Sequence, residues 1–190
     1  MARSKEFEVH EVLDKAIHLF WTQGYEKTSM QELVELMGIH RKSIYDTFGD
    51  KRSLFMRALE RYEMQQSSYV RLLIEKDIPI KQLIREMLEL TVRCEGQPIG
   101  CFMVNSGVEL GVLDPEVSSL VDENYMRTEE LLASLILKGQ QTGEIKADLD
   151  PTMNSQYLMN AWLGLRTMVK TTTDKQKLTN IIDISVSILD

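Results

Sequence analysis

His40, Arg41, Lys42, Ser43, Tyr45 and Thr47 gather two cations, two hydroxyls, a phenol and an imidazole within eight consecutive residues. Such groups reach phosphate oxygens and base edges, which is the chemistry of nucleic-acid binding. Ile44 and Phe48 break the polar run at a spacing of four. That spacing predicts a short helix with these two residues turned inward and the polar groups left on its outer faces. Just before it, Leu33, Val34 and Met37 recur at helical spacing. Thr28 is expected to cap this first helix, with Gln31 three residues on completing a capping box. Gly38 ends it, because glycine enters a left-handed turn without strain. Two short helices joined through a glycine-containing turn make a helix-turn-helix, whose second helix docks in the major groove. An ordinary helical hairpin with solvated charges fits the spacing as well, so spacing alone leaves both open.

Longer motifs bear on that choice. The run G-x-x-R-x-S-I-Y-x-x-F-G-D-K, from Gly38 to Lys51, resembles the signature of the TetR/AcrR family of bacterial transcriptional regulators. The preceding F-W-x-x-G-Y-x-x-T-S, from Phe20 to Ser29, is similar to the segment joining that family's first two helices. The resemblance covers about the first third of the chain. It implies an all-α, tetracycline-repressor-like fold: a three-helix DNA-binding head (residues 1–50) and a six-helix effector-binding and dimerisation body (residues 51–190). Carried over residue by residue, it implies that Thr28, Tyr45 and Lys51 meet backbone phosphate. Arg41, Lys42, Ser43 and Thr47 would then face the groove of double-stranded operator DNA. Val34 departs from the family's usual Ala, and His40 stands where Ser or Asn would cap the recognition helix. A second run, G-C-F-x-x-N-S-x-x-E from Gly100 to Glu109, resembles a segment of one branch of the family at the start of its sixth helix.

The charge distribution fits a bipartite protein. Of 22 Lys+Arg and 29 Asp+Glu, residues 1–62 hold 10 of each, so the net −7 falls on the remainder. A near-neutral head with cations at 41–42 and 51–52 can bind phosphate locally, while an acidic body stays off the DNA. Such binding weakens steeply with salt. No stretch has the apolar core of a signal peptide or approaches transmembrane length, so a cytoplasmic protein without a membrane partner is expected.

The elements that must position these residues are helices throughout. Phe7 to about Thr22 carries a broad apolar stripe stopped by Gly24. Asp50 is expected to cap a long helix reaching Ile74, with Lys51 and Arg52 in its first turn. Cations there oppose the helix dipole, which makes sense if phosphate sits at this helix start. Ile80 to about Arg93 is helical, Glu95 to Gly100 is a loop, and a short buried helix follows Cys101. Asp114-Pro115 and Asp150-Pro151 each combine a cap with proline at the first helical position. In the second of these helices, Gly164 is expected to allow close backbone approach. Ile182 to Ile188 alternates like a strand, but no other stretch offers a pairing partner, so helix is the reading. Apolar over most of its circumference, that helix needs two packing partners. The body supplies one, and a second copy of the chain would supply the other, giving a homodimer through the last two helices.

No glycine-rich phosphate loop, nucleophile elbow or metal-binding His/Glu constellation occurs, so neither enzyme nor cofactor is expected. His10 and His18 lie eight residues apart, a poor spacing for a shared metal, and none is expected. Met87, Met103, Met126, Met153, Met159 and Met168 suit an adaptable apolar cavity in the body, although methionine also serves as plain core filler. The expected lining is Met87, Phe102, Met103, Asn105, Tyr125, Tyr157 and Trp162, apolar groups for area and polar tips to orient a small apolar or amphipathic effector. Cys101 reads as a small buried hydrophobe or as a redox-sensing thiol with Cys94 as its resolving partner. The sequence therefore reads as a ligand-responsive, dimeric regulator of repressor type that binds palindromic operator DNA. The alternative is a helical small-molecule-binding or adaptor protein whose head no longer binds DNA.

Overall fold

The computed structural model describes residues 8–93 and 99–190, and among them every regular element is a helix. In order these are α1 (Val9–Gln23), α2 (Met30–Met37), α3 (Arg41–Phe48), α4 (Lys51–Ile74), α5 (Ile80–Arg93), α6 (Phe102–Leu110), α7 (Pro115–Gln141), α8 (Pro151–Met168) and α9 (Lys175–Ser187). The all-helical reading holds. Asp50, Asp114, Asp150 and Asp174 each accept a backbone N–H at the start of α4, α7, α8 and α9. Those caps satisfy donors that a helix start otherwise leaves open. The alternating segment near the chain end is α9, which buries Leu178, Ile182 and Ser185 against α5 and α8. Gly164 needs correction. A Cβ there would meet nothing within 4 Å, whereas at Gly139 it would meet the Ile145 side chain at 2.6 Å. The tight crossing is thus made by Gly139, where α7 meets the loop before α8.

Two apolar clusters form. The first joins α1 to α4 with α6 and the start of α7, and the second joins α5, α7, α8 and α9 beneath the far end of α4. Aromatic rings dominate the first. Phe55 meets Phe20 edge-on at 5.1 Å and Phe102 at 5.7 Å, while Tyr62 meets Trp21 at 5.1 Å and Phe102 at 5.7 Å. Edge-to-face pairs at this spacing are favourable beyond the area they bury. Phe102 of α6 is therefore the ring that seats the body against the three-helix head.

One charged tie reinforces that seat, and a second braces α4 against α7 beside it. The Glu109 carboxylate of α6 accepts the backbone N–H of Tyr25 and of Glu26, each at 2.9 Å. Gly24 makes room for it, since a Cβ at that φ of +89° would sit 2.8 Å from the carboxylate. Arg52 of α4 donates from Nε and Nη2 to both oxygens of Asp114, at 2.8 and 2.9 Å, and to Glu116 at 2.6 Å. Planar two-point pairing of this kind is stronger than a single ion contact.

The Arg52 guanidinium, with the N–H groups of the α7 start, holds the Asp114 carboxyl down to about 2. The unfolded chain protonates it near its ordinary 3.8, so the stabilisation is whole above that value and is lost as pH falls through about 2. Asp114→Asn keeps a helix cap and removes the charge. We expect it to lower the melting temperature by a few degrees at pH 7, a modest effect because the pair is partly exposed. By pH 2 the variant should melt with the parent. A gap in calorimetry that persists undiminished at pH 2 would assign the loss to the cap.

Candidate nucleic-acid interface

The interface is built from α2, its turn and α3. Ser29, not Thr28, starts α2. Its hydroxyl accepts the Glu32 N–H at 3.2 Å, and the Glu32 carboxylate accepts the Ser29 N–H at 2.8 Å. The chain offers T-x-x-Q and S-x-x-E one residue apart, and the ionised Glu is the stronger acceptor for the reciprocal bond. Thr28 is buried and donates to the Gly24 carbonyl at 2.6 Å. Its hydroxyl is thus committed inside the head, which corrects its assignment to a phosphate. Gly38 takes the left-handed turn at φ 71°, and Leu33, Met37, Ile44 and Phe48 lock α2 and α3 together in the core.

The other face of α3 is open. Arg41, Lys42 and Tyr45 are exposed, and Ser43 and Thr47 are half-buried beside them. Arg41 lies 5.9 Å from the Tyr45 ring, and neither Arg41 nor Lys42 has a carboxylate partner among the described residues. His40 stands at the cap position of α3 without a side-chain cap bond. The first N–H groups of α3 therefore point outward with nothing from His40 to satisfy them, next to two uncommitted cations. Lys51 reaches back over the Tyr25 ring at 4.3 Å and lies 3.5 Å from the Glu26 carbonyl, at the solvent end of the α1–α2 turn. Arg52 does not join it. The expected pair of free cations at 51–52 is reduced to one, because Arg52 is spent on Asp114 and Glu116. Sequence reasoning overlooked Arg57, which donates to the Thr47 carbonyl at 3.0 Å and covers the Phe48 ring at 5.0 Å. It fixes the end of α3 to α4, and nothing in the linear pattern marks it.

A half-open cavity of about 900 Å³ lies between α1 and α4 on one side and α5, α7 and α8 on the other. Of the seven residues expected there, Met87, Met103 and Trp162 line it. Phe102 is inside the aromatic seat, and Asn105 accepts a bond from Lys170 at 3.1 Å away from the cavity wall. Tyr125 is half-buried between the two clusters, where burial pushes its phenol up to about 12. Tyr157 lies on the outer face of α8 in a separate groove with Ile181 and Ile184 of α9. It is five residues from Trp162, or about 140° around a helix, so both cannot face one cavity. Met126 and Met153, among the methionines read as suited to a cavity, are exposed and do not line it. Trp21, Tyr62 and Arg166 line the cavity unforeseen, because packing between distant segments brings them there. Cys101 also lines it, buried, with the Tyr62 hydroxyl donating to its Sγ at 3.4 Å. Its expected partner Cys94 lies outside the described residues. No group of His, Cys, Asp and Glu suited to a metal occurs among the described residues, and no helix among them is long and apolar enough to cross a membrane.

Comparison with known proteins finds two family matches along the chain. Residues 12–58 match the family described as bacterial regulatory proteins, tetR family, and residues 79–184 match the tetracyclin repressor-like C-terminal domain. The regulator YezE of Bacillus subtilis (strain 168), itself uncharacterized, is 33% identical with both chains fully covered. The Escherichia coli (strain K12) repressor ComR is 27% identical over 94% of this chain and 87% of its own. Among solved structures, the regulator CifR, in a cysteine-mutant form complexed with 26bp double-strand operator DNA, superposes with a TM-score of 0.89 at 23% identity, covering 100% of both chains. With its helix-turn-helix head and its helical body both matched, the chain belongs to the TetR family of DNA-binding transcriptional regulators.

Proposed function

We propose that the protein is a cytoplasmic, homodimeric repressor that binds a palindromic operator and releases it when a small apolar or amphipathic effector enters the body. The observation that carries the reading is the two-sided character of α3. Ile44 and Phe48 are sealed in the core, while Arg41, Lys42 and Tyr45 are exposed and the two cations uncommitted. A side-chain set so divided is rigid where it must be positioned and open where it must touch DNA. Residues 1–50 would serve as the DNA-binding unit and 51–190 as the effector-binding and dimerisation unit. That relatives such as ComR and DhaR, of Mycobacterium sp. (strain GP1), are named repressors supports the sign of regulation.

Mechanistically, an effector preferring one conformation of the body shifts the population toward it. The Glu109 tie passes that shift to the heads, while the Arg52–Asp114 pair keeps α4 and α7 moving together. Two heads on one operator must sit about one DNA turn apart, roughly 34–36 Å, so a small change of spacing spoils binding. Tyr45→Ala and Lys51→Ala are each expected to weaken binding about tenfold or more to DNA flanking the protein's own gene. Lys51→Ala should also flatten the logarithmic salt slope by about 0.9, one phosphate contact fewer. Fluorescence anisotropy between 50 and 200 mM salt reads both, and unchanged affinity in either variant removes that residue from the interface.

The outer face of α8 and α9 supports the dimer. Ile184 is 65% exposed, Tyr157 is exposed beside it, and Gly164 opens onto free space. Small and apolar groups on neighbouring helices suit a symmetric four-helix contact between two copies. Ile184→Glu should leave the fold intact, since the side chain touches solvent in the single chain. In sedimentation the mass should fall from twice 21.9 kDa to 21.9 kDa. A variant that keeps the doubled mass places the interface elsewhere.

A further inference from the structure

The charges around the cavity are nearly all accounted for. Asp14 is gripped by Arg61 at 2.7 Å, Glu63 by Arg127 at 2.6 Å, and Glu86 by Lys76 at 2.7 Å. Each of these anions on the wall has its own cation, so none is free to receive a positive ligand. Arg166 is different. It is half-buried in the α8 wall, its guanidinium carbon lies 4.0 Å from the centre of the Trp162 ring, and no carboxylate among the described residues pairs with it. Its place in the last turn of α8 favours the helix dipole, but that effect is small and equally available to a side chain in open water. Nor does the cation–π contact supply the hydrogen-bond acceptors that five guanidinium N–H groups require. A partly desolvated cation without an anion is unfavourable, and the cost disappears once a counter-charge arrives.

A second donor belongs to the opposite wall, on α1. The indole N–H of Trp21 is buried and meets no acceptor. Met87, Met103 and Leu131 give the lining an apolar portion among its polar groups. A positive charge without a carboxylate beside Met87, Met103 and Trp162, in a cavity of about 900 Å³, suits an occupant that is anionic at one end and hydrocarbon over the rest. Such a ligand also runs against the −7 of the whole chain, so attraction must come from the site itself.

From this complementarity we infer that the effector class is an amphipathic carboxylate, its carboxylate on Arg166 and its apolar portion between Met87, Met103 and Trp162; this rests on the ligand-responsive reading above. The chain's two tryptophans, Trp21 and Trp162, both line the cavity, so intrinsic fluorescence reports occupancy directly. The test titrates the full-length protein with decanoate, 1-decanol and decylammonium, which share one tail and differ in head charge. Decanoate should give a saturable change at least tenfold tighter than decanol, and decylammonium the weakest. Arg166→Gln should erase the preference for decanoate over decanol, and Arg166→Lys should keep it in part. Arg71→Gln, at the exposed rim of the same cavity, should leave it within twofold. Melting temperatures of the ligand-free variants show that each is folded, and the ranking on the unmodified protein needs no variant at all. Equal binding of decanol and decanoate, or tighter binding of the ammonium, overturns the inference, as does an Arg166→Gln protein that still prefers decanoate. A gel shift of the ligand-free protein on its own upstream DNA separates the two readings. If the shift is present without a carboxylate preference, this inference alone fails. If it is absent, the regulator reading fails, whatever the fluorescence shows.

Discussion

The joint between the three short helices and the rest of the chain is the constraint on which everything else depends. It is made by one aromatic ring and one carboxylate, Phe102 among Phe55, Tyr62 and Trp21 and Glu109 on two backbone N–H groups, with the ion pair of Arg52 and Asp114 bracing α4 to α7 behind them. The three contacts differ in what they tolerate. Ring packing resists separation but permits small sliding, since its energy varies gently with angle. Hydrogen bonds to fixed backbone donors are directional and resist rotation. Together they let α6 carry a displacement into the α1–α2 turn without letting the head come loose. That turn ends at Ser29, where α2 begins, so the path from α6 to the helix-turn-helix crosses five residues.

The cavity lies against this joint. Trp21 and Tyr62 are at once members of the aromatic seat and walls of the cavity. A ligand that fills the space touches α1 and α4 directly, with Met87 and Trp162 across from them. Under the proposed function no chain of relays through the body is needed, and the coupling would be a wedge between two packed surfaces. Packed interiors respond to a wedge by moving elements as units, because side chains at close-packed density have little room to absorb volume locally.

Much of this was legible in the chain and some was not, for physical reasons. Helix starts were plain because an Asp cap followed by Pro, as at Asp114 and Asp150, is a local signal that needs no tertiary context. The inward stripe of α3, Ile44 and Phe48, was plain for the same reason, since spacing of four has one helical meaning. Where two local solutions competed, as with Thr28 and Ser29, the choice depended on which side chain the head could bury, and the methyl-bearing Thr28 went inside. The cavity lining was least legible. Tyr157 and Trp162 read as neighbours along the sequence yet face opposite ways, and Met153 is apolar but exposed. Arg52 and Arg166 show the same gap from the other side. Both are basic residues with no mark of their role in the sequence, and only packing makes one a structural clamp and leaves the other without a carboxylate among the described residues.

Those two arginines also show how charge is divided among tasks. In the head, Arg41 and Lys42 stay uncommitted at the surface, where an unpaired cation costs almost nothing because water solvates it. At the joint, Arg52 is matched by two carboxylates and its charge is invisible to anything outside. In the cavity wall, Arg166 is neither solvated like the first pair nor matched like the second. A charge in that intermediate state has the largest free-energy gain available from a new partner, since its water is already partly lost and no carboxylate among the described residues competes. The same reasoning says why the acidic body does not satisfy it. The carboxylates nearest the cavity are held by Arg61, Arg127 and Lys76, and freeing one would leave another cation bare. Pairing elsewhere in the body is thus what reserves Arg166 for an anion from outside.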